Sequence, residues 1–361
     1  MKSPGTKTLV DEIVHNTFVR EGTMVAFPTC FPGASKPITP DESHITALDI
    51  AEKNTVYGGT SGRGVHLFAA MFQGVTGIVF DLGVVANANH CAAVCVGKTH
   101  MLACVNGTQG GRIVSTRLQA LPFDLIQEWG FSRRPFKEVG QPDDHQPILH
   151  AVADPAKKQI VGMTKDTLFK VNFDKPKITT IDHIKGAGSL AVDSQGNVFG
   201  LDEDSHLWRY HVGSGTLTRK AVELPAGAWD QGKFCWAHDT QSGLLYLTDD
   251  EGRLFSFSEK NGFAGPLGQT MLAPVRPMAV TFDGRVFGFC GPEISNMFCY
   301  DPNRKTLVDL GAAVSVIQRR RYGYYFGAAA TGRDGQIFFG EDDDMGHLWL
   351  YFPRIAAANI Q

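Results

Sequence analysis

A repeated five-part pattern constrains the fold of this chain more than any single motif does. Residues 189–212 (SLAVDSQGNVFGLDEDSHLWRYHV) read as a short strand, a polar Asp/Gly turn, an apolar strand ending in Gly, an acidic turn and a Leu-aromatic strand. Residues 326–352 (FGAAATGRDGQIFFGEDDDMGHLWLYF) follow the same order near the end of the chain. Self-similarity of this kind predicts a repeat architecture.

Related units fill the rest of the chain, at the spacing of about 40–50 residues that is typical of four-stranded propeller blades. None of them shows a helical period. A large apolar residue marks the third strand of each unit: Leu67, Ile113, Leu168, Leu207, Leu254, Phe298 and Leu348. The sequence therefore predicts an all-β fold, a seven-bladed β-propeller whose blades are four-stranded and antiparallel.

The predicted propeller is a single domain over residues 1–361, with blades at approximately 41–86, 87–140, 145–186, 187–228, 231–273, 275–316 and 320–353. The last unit ends after three strands, so we expect residues 17–31 to supply its outer strand. Pairing between the two ends of the chain closes the ring and removes free sheet edges.

Composition excludes several classes of partner. A net charge of −3 gives no reason to expect nucleic acid or an anionic membrane surface. No window reaches the apolar length of a membrane span. The N-terminal residues carry no signal peptide, which predicts a cytoplasmic protein, or a secreted one if a leader has been removed. We expect a monomer.

Charged residues recur at the starts of the predicted inner strands. His90 occupies the same register as His44 and Arg276, and His150 lies one step nearer the core of its own blade. Inner strands of a propeller begin around the mouth of its central channel. We therefore expect these four residues to meet there, because a pocket mouth with converging His and Arg is a candidate active site.

The connections between units supply further candidates. Residues 131–144 and 318–325 are rich in arginine, a side chain that grips carboxylate or sulfate groups in a bidentate manner. The substrate-binding candidates from the connections are Arg133, Arg134, His145, Trp229 and Arg320, and Tyr322 is a candidate acid.

A glycine-rich stretch, residues 57–68 (YGGTSGRGVHLF), lies between two strands of the first unit. It lacks the GKS/GKT ending of a phosphate loop. Thr60, Ser61 and Arg63 could reach a ligand from it, and an ordinary turn is an equal alternative. His66 recurs in register with two other histidines of the repeat, which favours a structural hydrogen bond. A functional role for His66 stays open, because its loop differs from the acidic loops that precede His206 and His347.

The predicted mouth is richer in His, Arg and Tyr than in carboxylates, and this favours one reaction class. β-Elimination from a uronic acid needs a cation to neutralise the carboxylate, a base for the neighbouring C–H and an acid for the departing oxygen. Glycoside hydrolysis needs two facing carboxylates instead. Catalysis is expected to need no cofactor. A structural Ca²⁺ or another metal is left open, although the acidic turns lack EF-hand spacing.

The seven-unit pattern, the YGGTSGRGVHLF stretch and Asn89–His90 resemble the seven-bladed propeller polysaccharide lyases, namely the ulvan lyases and the rhamnosyl-glucuronate lyases. The resemblance implies elimination at a linkage between rhamnose and glucuronate in an acidic oligo- or polysaccharide. It also implies that His66 and His90 form the catalytic histidine pair.

By the same resemblance, Arg133 or Arg134 would neutralise the carboxylate. Phe131 stands near the position where the family has a tyrosine. The acid is therefore either Tyr322 or a histidine that serves as both base and acid. Two alternatives remain at this point: a non-enzymatic propeller that binds carbohydrate or protein, and a propeller glycoside hydrolase.

Overall fold

The structure is a computed structural model, and it describes residues 22–28, 38–51, 55–73, 76–118, 136–202, 205–229, 235–316, 322–333 and 335–354. The strands of these residues form seven four-stranded antiparallel sheets. The prediction of an all-β propeller with seven blades is confirmed. A 3-10 turn, Pro40–Glu42, precedes the first blade. No helix in the described part of the chain is long and apolar enough to cross a membrane.

The strands are numbered along the chain, beginning with β1 (Gly22–Pro28). The first blade contains β2 (His44–Ile50), β3 (Val56–Ser61), β4 (Val65–Gln73) and β5 (Thr76–Val85). The second contains β6 (His90–Val96), β7 (His100–Gly107), β8 (Gly110–Arg117) and β9 (Lys137–Gly140). The third contains β10 (Ile148–Ala153), β11 (Gln159–Thr164), β12 (Leu168–Asn172) and β13 (Ile178–Asp182).

The fourth blade contains β14 (Gly186–Val192), β15 (Asn197–Asp202), β16 (His206–His211) and β17 (Thr216–Glu223). The fifth contains β18 (Trp236–His238), β19 (Leu245–Thr248), β20 (Arg253–Ser258) and β21 (Gly262–Gln269). The sixth contains β22 (Val275–Val280), β23 (Val286–Cys290), β24 (Asn296–Asp301) and β25 (Thr306–Ala312). The seventh contains β26 (Phe326–Thr331), β27 (Ile337–Glu341) and β28 (His347–Pro353), with β1 as its fourth strand.

The two ends of the chain close the ring. Strand β1 pairs antiparallel with β28, from Gly22 opposite Pro353 to Pro28 opposite His347. The predicted closure by an N-terminal strand is confirmed. Met24 and Ala26 of this strand are buried in the core between the sixth and seventh blades, so the closing strand is anchored by burial of apolar surface as well as by its hydrogen bonds.

The core lies between blades. Seven clusters of buried apolar side chains fill the spaces between neighbouring sheets, including the space between the seventh and the first. The seven apolar residues predicted to mark the third strands lie in β4, β8, β12, β16, β20, β24 and β28, and all are buried. A blade cannot cover both of its faces alone, so each depends on its two neighbours.

The glycine near the end of the second strand has a packing role, and it lies two residues before the last residue of the strand in β11 and β15. A Cβ atom at Gly200 would overlap the indole of Trp208 on the neighbouring strand β16. Gly162 makes the same space for Phe169 of β12. The repeated sequence pattern therefore reflects a large third-strand aromatic ring that packs against a second-strand backbone without a side chain.

Candidate functional site

A central channel runs through the ring and holds a cavity of about 480 Å³. Residues from the innermost strand of every blade line it. Much of the lining consists of alanine, which leaves space open where larger side chains would fill the axis: Ala47, Ala93, Ala151, Ala191, Ala237 and Ala328. The innermost strands all begin at one end of this channel, and we call that end the mouth.

His44, the first residue of β2, joins the first blade to the seventh at the mouth. Its Nδ1 lies 3.1 Å from Oδ1 of Asp342, and its Nε2 lies 2.9 Å from Oδ1 of Asp344. Burial acts to lower the pKa of His44. The hydrogen bonds and negative charges of the two aspartates outweigh this effect and raise it above the ordinary value. His44 therefore keeps its proton to a higher pH than an isolated histidine does.

His90, the first residue of β6, lies beside His44 on the next blade. Its Nδ1 is 3.1 Å from Oγ of Ser61, the last residue of β3. Burial lowers the pKa of His90, although the charge of Asp342 acts in the opposite direction. A neutral imidazole with its ring open to the channel mouth is the form that can accept a proton.

Arg276 and Tyr325 continue the arc across the sixth and seventh blades. The guanidinium of Arg276 lies over the ring of Tyr325, 4.8 Å from its centroid. Tyr325 immediately precedes β26, and its carbonyl accepts a hydrogen bond of 2.8 Å from the backbone N–H of Asp342. Arg276 is exposed, and no carboxylate of the described residues pairs with it. Its charge is available to an anion.

The pKa of Tyr325 is raised by burial and by the charge of Asp342, while Arg276 acts to lower it. Its phenol is therefore protonated at neutral pH and can donate a proton. Tyr325 and Asp342 were not among the residues singled out from the sequence. The signals were present, since Tyr325 ends the arginine- and tyrosine-rich segment and Asp342 lies in an acidic turn of the repeat.

His150 lies deeper, in the channel wall. Its Nδ1 accepts a hydrogen bond of 3.1 Å from the backbone N–H of Leu190 on the next blade. Burial lowers the pKa of His150 to about 4, so the ring is neutral near pH 7. His44 and His90 are the first residues of their inner strands, Arg276 is the second residue of β22, and His150 is the third residue of β10.

His66 lies inside the first blade rather than at the channel. Its Nε2 is 2.9 Å from Oε2 of Glu42 and its Nδ1 is 3.1 Å from Oδ1 of Asp81. Burial acts to lower its pKa, but the hydrogen bonds and charges of the two carboxylates raise it above the ordinary value. His347, in register on the seventh blade, is likewise buried, with Nδ1 3.2 Å from Oε2 of Glu341. Both contacts agree with the interpretation that a histidine at this position of the repeat makes a structural hydrogen bond.

The other candidates are dispersed. Arg63 is exposed and pairs through Nε with Oδ2 of Asp41 at 2.5 Å. His145 lies exposed on the connection into the third blade. Trp229 is half-buried, donates from Nε1 to the carbonyl of Pro225 at 2.7 Å and packs against the ring of Phe255. Tyr322 is 46% exposed and pairs with Val314, which follows the outermost strand of the sixth blade.

Arg133, Arg134 and Arg320 lie outside the described residues. The interpretation of residues 131–144 as a connection between blades differs from the structure, because Lys137–Gly140 form β9. Lys137, the first residue of β9, pairs with Ser115 of β8. Ser115 lies near the end of the second blade that contains His100, and His90 lies at the opposite end of that blade. Within the described part of the chain, no group of three or more His, Cys, Asp and Glu side chains could hold a metal ion.

Comparisons with known proteins support the fold. No family model matches the chain, and no curated protein matches it by sequence. Among solved structures, a catalytically inactive variant of virginiamycin B lyase from Staphylococcus aureus, in a structure with quinupristin, superposes with a TM-score of 0.63 at 10% identity, over 92% of this chain and 99% of that one.

Two further propellers are similar in shape. The extracellular domain of a putative hybrid two-component system of B. thetaiotaomicron gives a TM-score of 0.62 at 14% identity, over 94% of this chain and 42% of that one. The WD40 propeller domain of Doa1 gives a TM-score of 0.57 at 9% identity, over 91% of this chain and 97% of that one. At these identities the likeness concerns the seven-bladed fold alone.

Proposed function

We propose that the chain is a lyase that cleaves a glycosidic bond to a uronic acid by β-elimination at the channel mouth. The observation that carries the proposal is the arc of His90, Tyr325 and Arg276. It places on one rim a neutral imidazole, a protonated phenol and a guanidinium that pairs with no carboxylate of the described residues. These are the base, the acid and the cation that the reaction requires.

In this reaction Arg276 binds the uronate carboxylate and makes the adjacent C–H more acidic. His90 removes that proton, and the C–H electron pair becomes the new carbon–carbon double bond. The bond from the next ring carbon to the glycosidic oxygen breaks, and Tyr325 protonates the departing oxygen. The products are an unsaturated uronate and a sugar with a free hydroxyl. His66 has no role in this scheme, because its ring is enclosed between two carboxylates.

The substrate we propose to test first is a linkage between rhamnose and glucuronate in an acidic polysaccharide. Its support is the resemblance of residues 57–68 and of Asn89–His90 to the propeller polysaccharide lyases. The virginiamycin B lyase supports only the statement that a propeller of this shape can carry a lyase site. For hydrolysis, the nearest carboxylates at the mouth, Asp342 and Asp344, are both engaged by His44.

The test is incubation with ulvan and with gum arabic while the absorbance of a conjugated unsaturated uronate is followed. The proposal expects this absorbance to rise with at least one substrate. Release of reducing sugar without that absorbance would identify a hydrolase and contradict the proposal. A variant of Arg304, an exposed arginine at the opposite end of the sixth blade, serves as the matched control for the arginine at the mouth.

A non-catalytic carbohydrate-binding propeller is the second candidate. A groove of about 550 Å³ beside the mouth favours it, since Ile294, Tyr324 and Tyr325 line this groove with an apolar and aromatic surface. Such a surface suits the apolar face of a sugar ring. Calorimetry with the same polysaccharides separates the two candidates: binding without any product supports the second, and product formation supports the first.

A further inference from the structure

A chain of hydroxyl groups lies behind His90. Oγ1 of Thr46 donates a hydrogen bond of 2.8 Å to the carbonyl of Cys91. The same Oγ1 lies 2.7 Å from Oγ of Ser61, which lies 3.1 Å from Nδ1 of His90. Oγ of Ser61 also accepts a hydrogen bond of 3.0 Å from the backbone N–H of Cys91.

The donors and acceptors in this chain leave one consistent arrangement. A carbonyl cannot donate, so the hydroxyl hydrogen of Thr46 points to Cys91. Two hydroxyl oxygens at 2.7 Å need a hydrogen between them, and only Ser61 has one left to give. Oγ of Ser61 is then an acceptor toward His90, and Nδ1 of His90 must be the donor.

We infer that Ser61 and Thr46 are positioning residues that hold neutral His90 as its Nδ1–H tautomer and leave Nε2 as the unprotonated nitrogen. Nε2 of His90 has no hydrogen-bond partner among the described residues, so it is the ring atom that is open to a substrate proton. The catalytic use of Nε2 rests on the proposed function, but the tautomer does not. The state of one ring nitrogen is fixed by the hydrogen bond of the other.

The backbone supports this arrangement by bringing the first two blades close together. A Cβ atom at Gly59 of β3 would overlap Sγ of Cys91 of β6, so only glycine permits this approach. Ser61 is 7% exposed and comes two residues later on the same strand. The hydroxyl of Ser61 therefore contacts the backbone of Cys91 and the ring of His90 from a fixed position on a strand and not from a loop.

The test reads the tautomer directly. Protein labelled with ¹⁵N-histidine is examined by long-range ¹H–¹⁵N correlation at a pH where His90 is neutral, and the His90 signals are assigned by their loss in His90→Gln. We expect a protonated Nδ1 and an unprotonated Nε2. An Nε2–H tautomer in the unmodified protein overturns the inference. This measurement needs no substitution of Ser61 or Thr46 and no substrate.

Substitutions at Thr46 then test whether the hydroxyl groups determine the tautomer of His90. In Thr46→Val, Ser61 keeps its hydrogen for Nδ1, so we expect the population to shift toward the Nε2–H tautomer. Thr46→Ser retains the hydroxyl and should retain the Nδ1–H form. Thr331→Val is the matched control. Like Thr46, Thr331 lies on an inner strand, and its hydroxyl donates a hydrogen bond of 2.9 Å to a carbonyl of the neighbouring blade, that of Val280. An unchanged tautomer in folded Thr46→Val contradicts the inference.

Kinetics link the tautomer to the proposed reaction. We expect Thr46→Val to lower kcat by at least about tenfold, within the range of general-base effects. KM should change little, because Thr46 acts on the reaction through Ser61 and His90. Thr46→Ser should restore kcat. If no polysaccharide is cleaved by the unmodified protein, the proposed function fails while the spectrum still decides the tautomer. Unchanged kcat beside a shifted tautomer overturns the positioning role.

Discussion

The guanidinium of Arg276 lies over the ring of Tyr325, 4.8 Å from its centroid, and links the sixth blade to the entrance of the seventh. A cation–π contact at such an exposed site is worth about 0.5–1 kcal/mol. It orients the guanidinium without neutralising its charge, and Arg276 remains exposed. The same contact joins the proposed carboxylate-binding group to the proposed acid.

Replacing Arg276 tests the neutralising charge. We expect Arg276→Gln to lower kcat/KM by roughly 10²–10³-fold, the effect of losing one preorganised group that stabilises developing negative charge. Arg276→Lys should recover part of this loss, because it keeps the charge and loses the planar fork. Arg304→Gln should match the unmodified protein in steady-state assays. Equal activities of the Arg276 and Arg304 variants would remove Arg276 from the reaction.

Replacing the tyrosines identifies the acid. Tyr325→Phe removes the hydroxyl and keeps the ring beneath Arg276, so we expect kcat to fall by roughly 10²–10⁴-fold with KM little changed. Tyr322→Phe, at the acid proposed from the sequence, should have little effect, because Tyr322 pairs with Val314 beside the outermost strand. The opposite ranking of the two variants would restore Tyr322 as the acid.

We expect His66 to stabilise the folded protein, and to do so within a defined range of pH. Its pKa is raised, so its contribution is fully present below its ordinary value of 6.5 and is lost as pH rises through the raised value. The hydrogen bond from His66 lowers the pKa of Glu42, so the contribution of Glu42 is present above 4.5 and is lost as pH falls through the lowered value. The two contributions are largest together between pH 4.5 and 6.5.

We therefore expect His66→Gln to lower the free energy of unfolding by about 3–5 kcal/mol in that window, the cost of breaking a buried ion pair. The difference should shrink at alkaline pH. Urea unfolding across pH measures it, and His211→Gln, at a histidine on the outer part of the fourth blade, is the control. A loss of turnover in a His66 variant of normal stability would instead support a catalytic role.

The fold was predictable because its pattern recurs in all seven blades. Where a blade has a glycine in its second strand, that glycine and the large residue of the third strand have a packing cause, as Gly200 and Trp208 show. The register of the inner strands also predicted that His44, His90 and Arg276 lie near the starts of their strands, and they are the first residues of β2 and β6 and the second residue of β22. Periodicity determines position along a strand, and strand starts share one end of the ring.

The site was less predictable where contacts come from non-repeating segments. Nothing in the sequence distinguishes Tyr322 from Tyr325, three residues apart, although one joins an outermost strand and the other enters an innermost one. Similarly, the partners of His66 lie in a 3-10 turn and in the fourth strand of its blade, so its enclosure between Glu42 and Asp81 depends on tertiary packing. Sequence patterns do not record such pairings.

The most direct test of the account compares the unmodified protein with His90→Gln on one uronate-containing oligosaccharide, measuring the unsaturated product and the binding affinity in parallel. The account predicts that the variant keeps most of its affinity, because Arg276 still holds the carboxylate, and that formation of the unsaturated product is lost. Unsaturated product formed at the same rate by both proteins would contradict the assignment of His90 as the base. Equal binding with no unsaturated product from either protein would contradict the lyase itself.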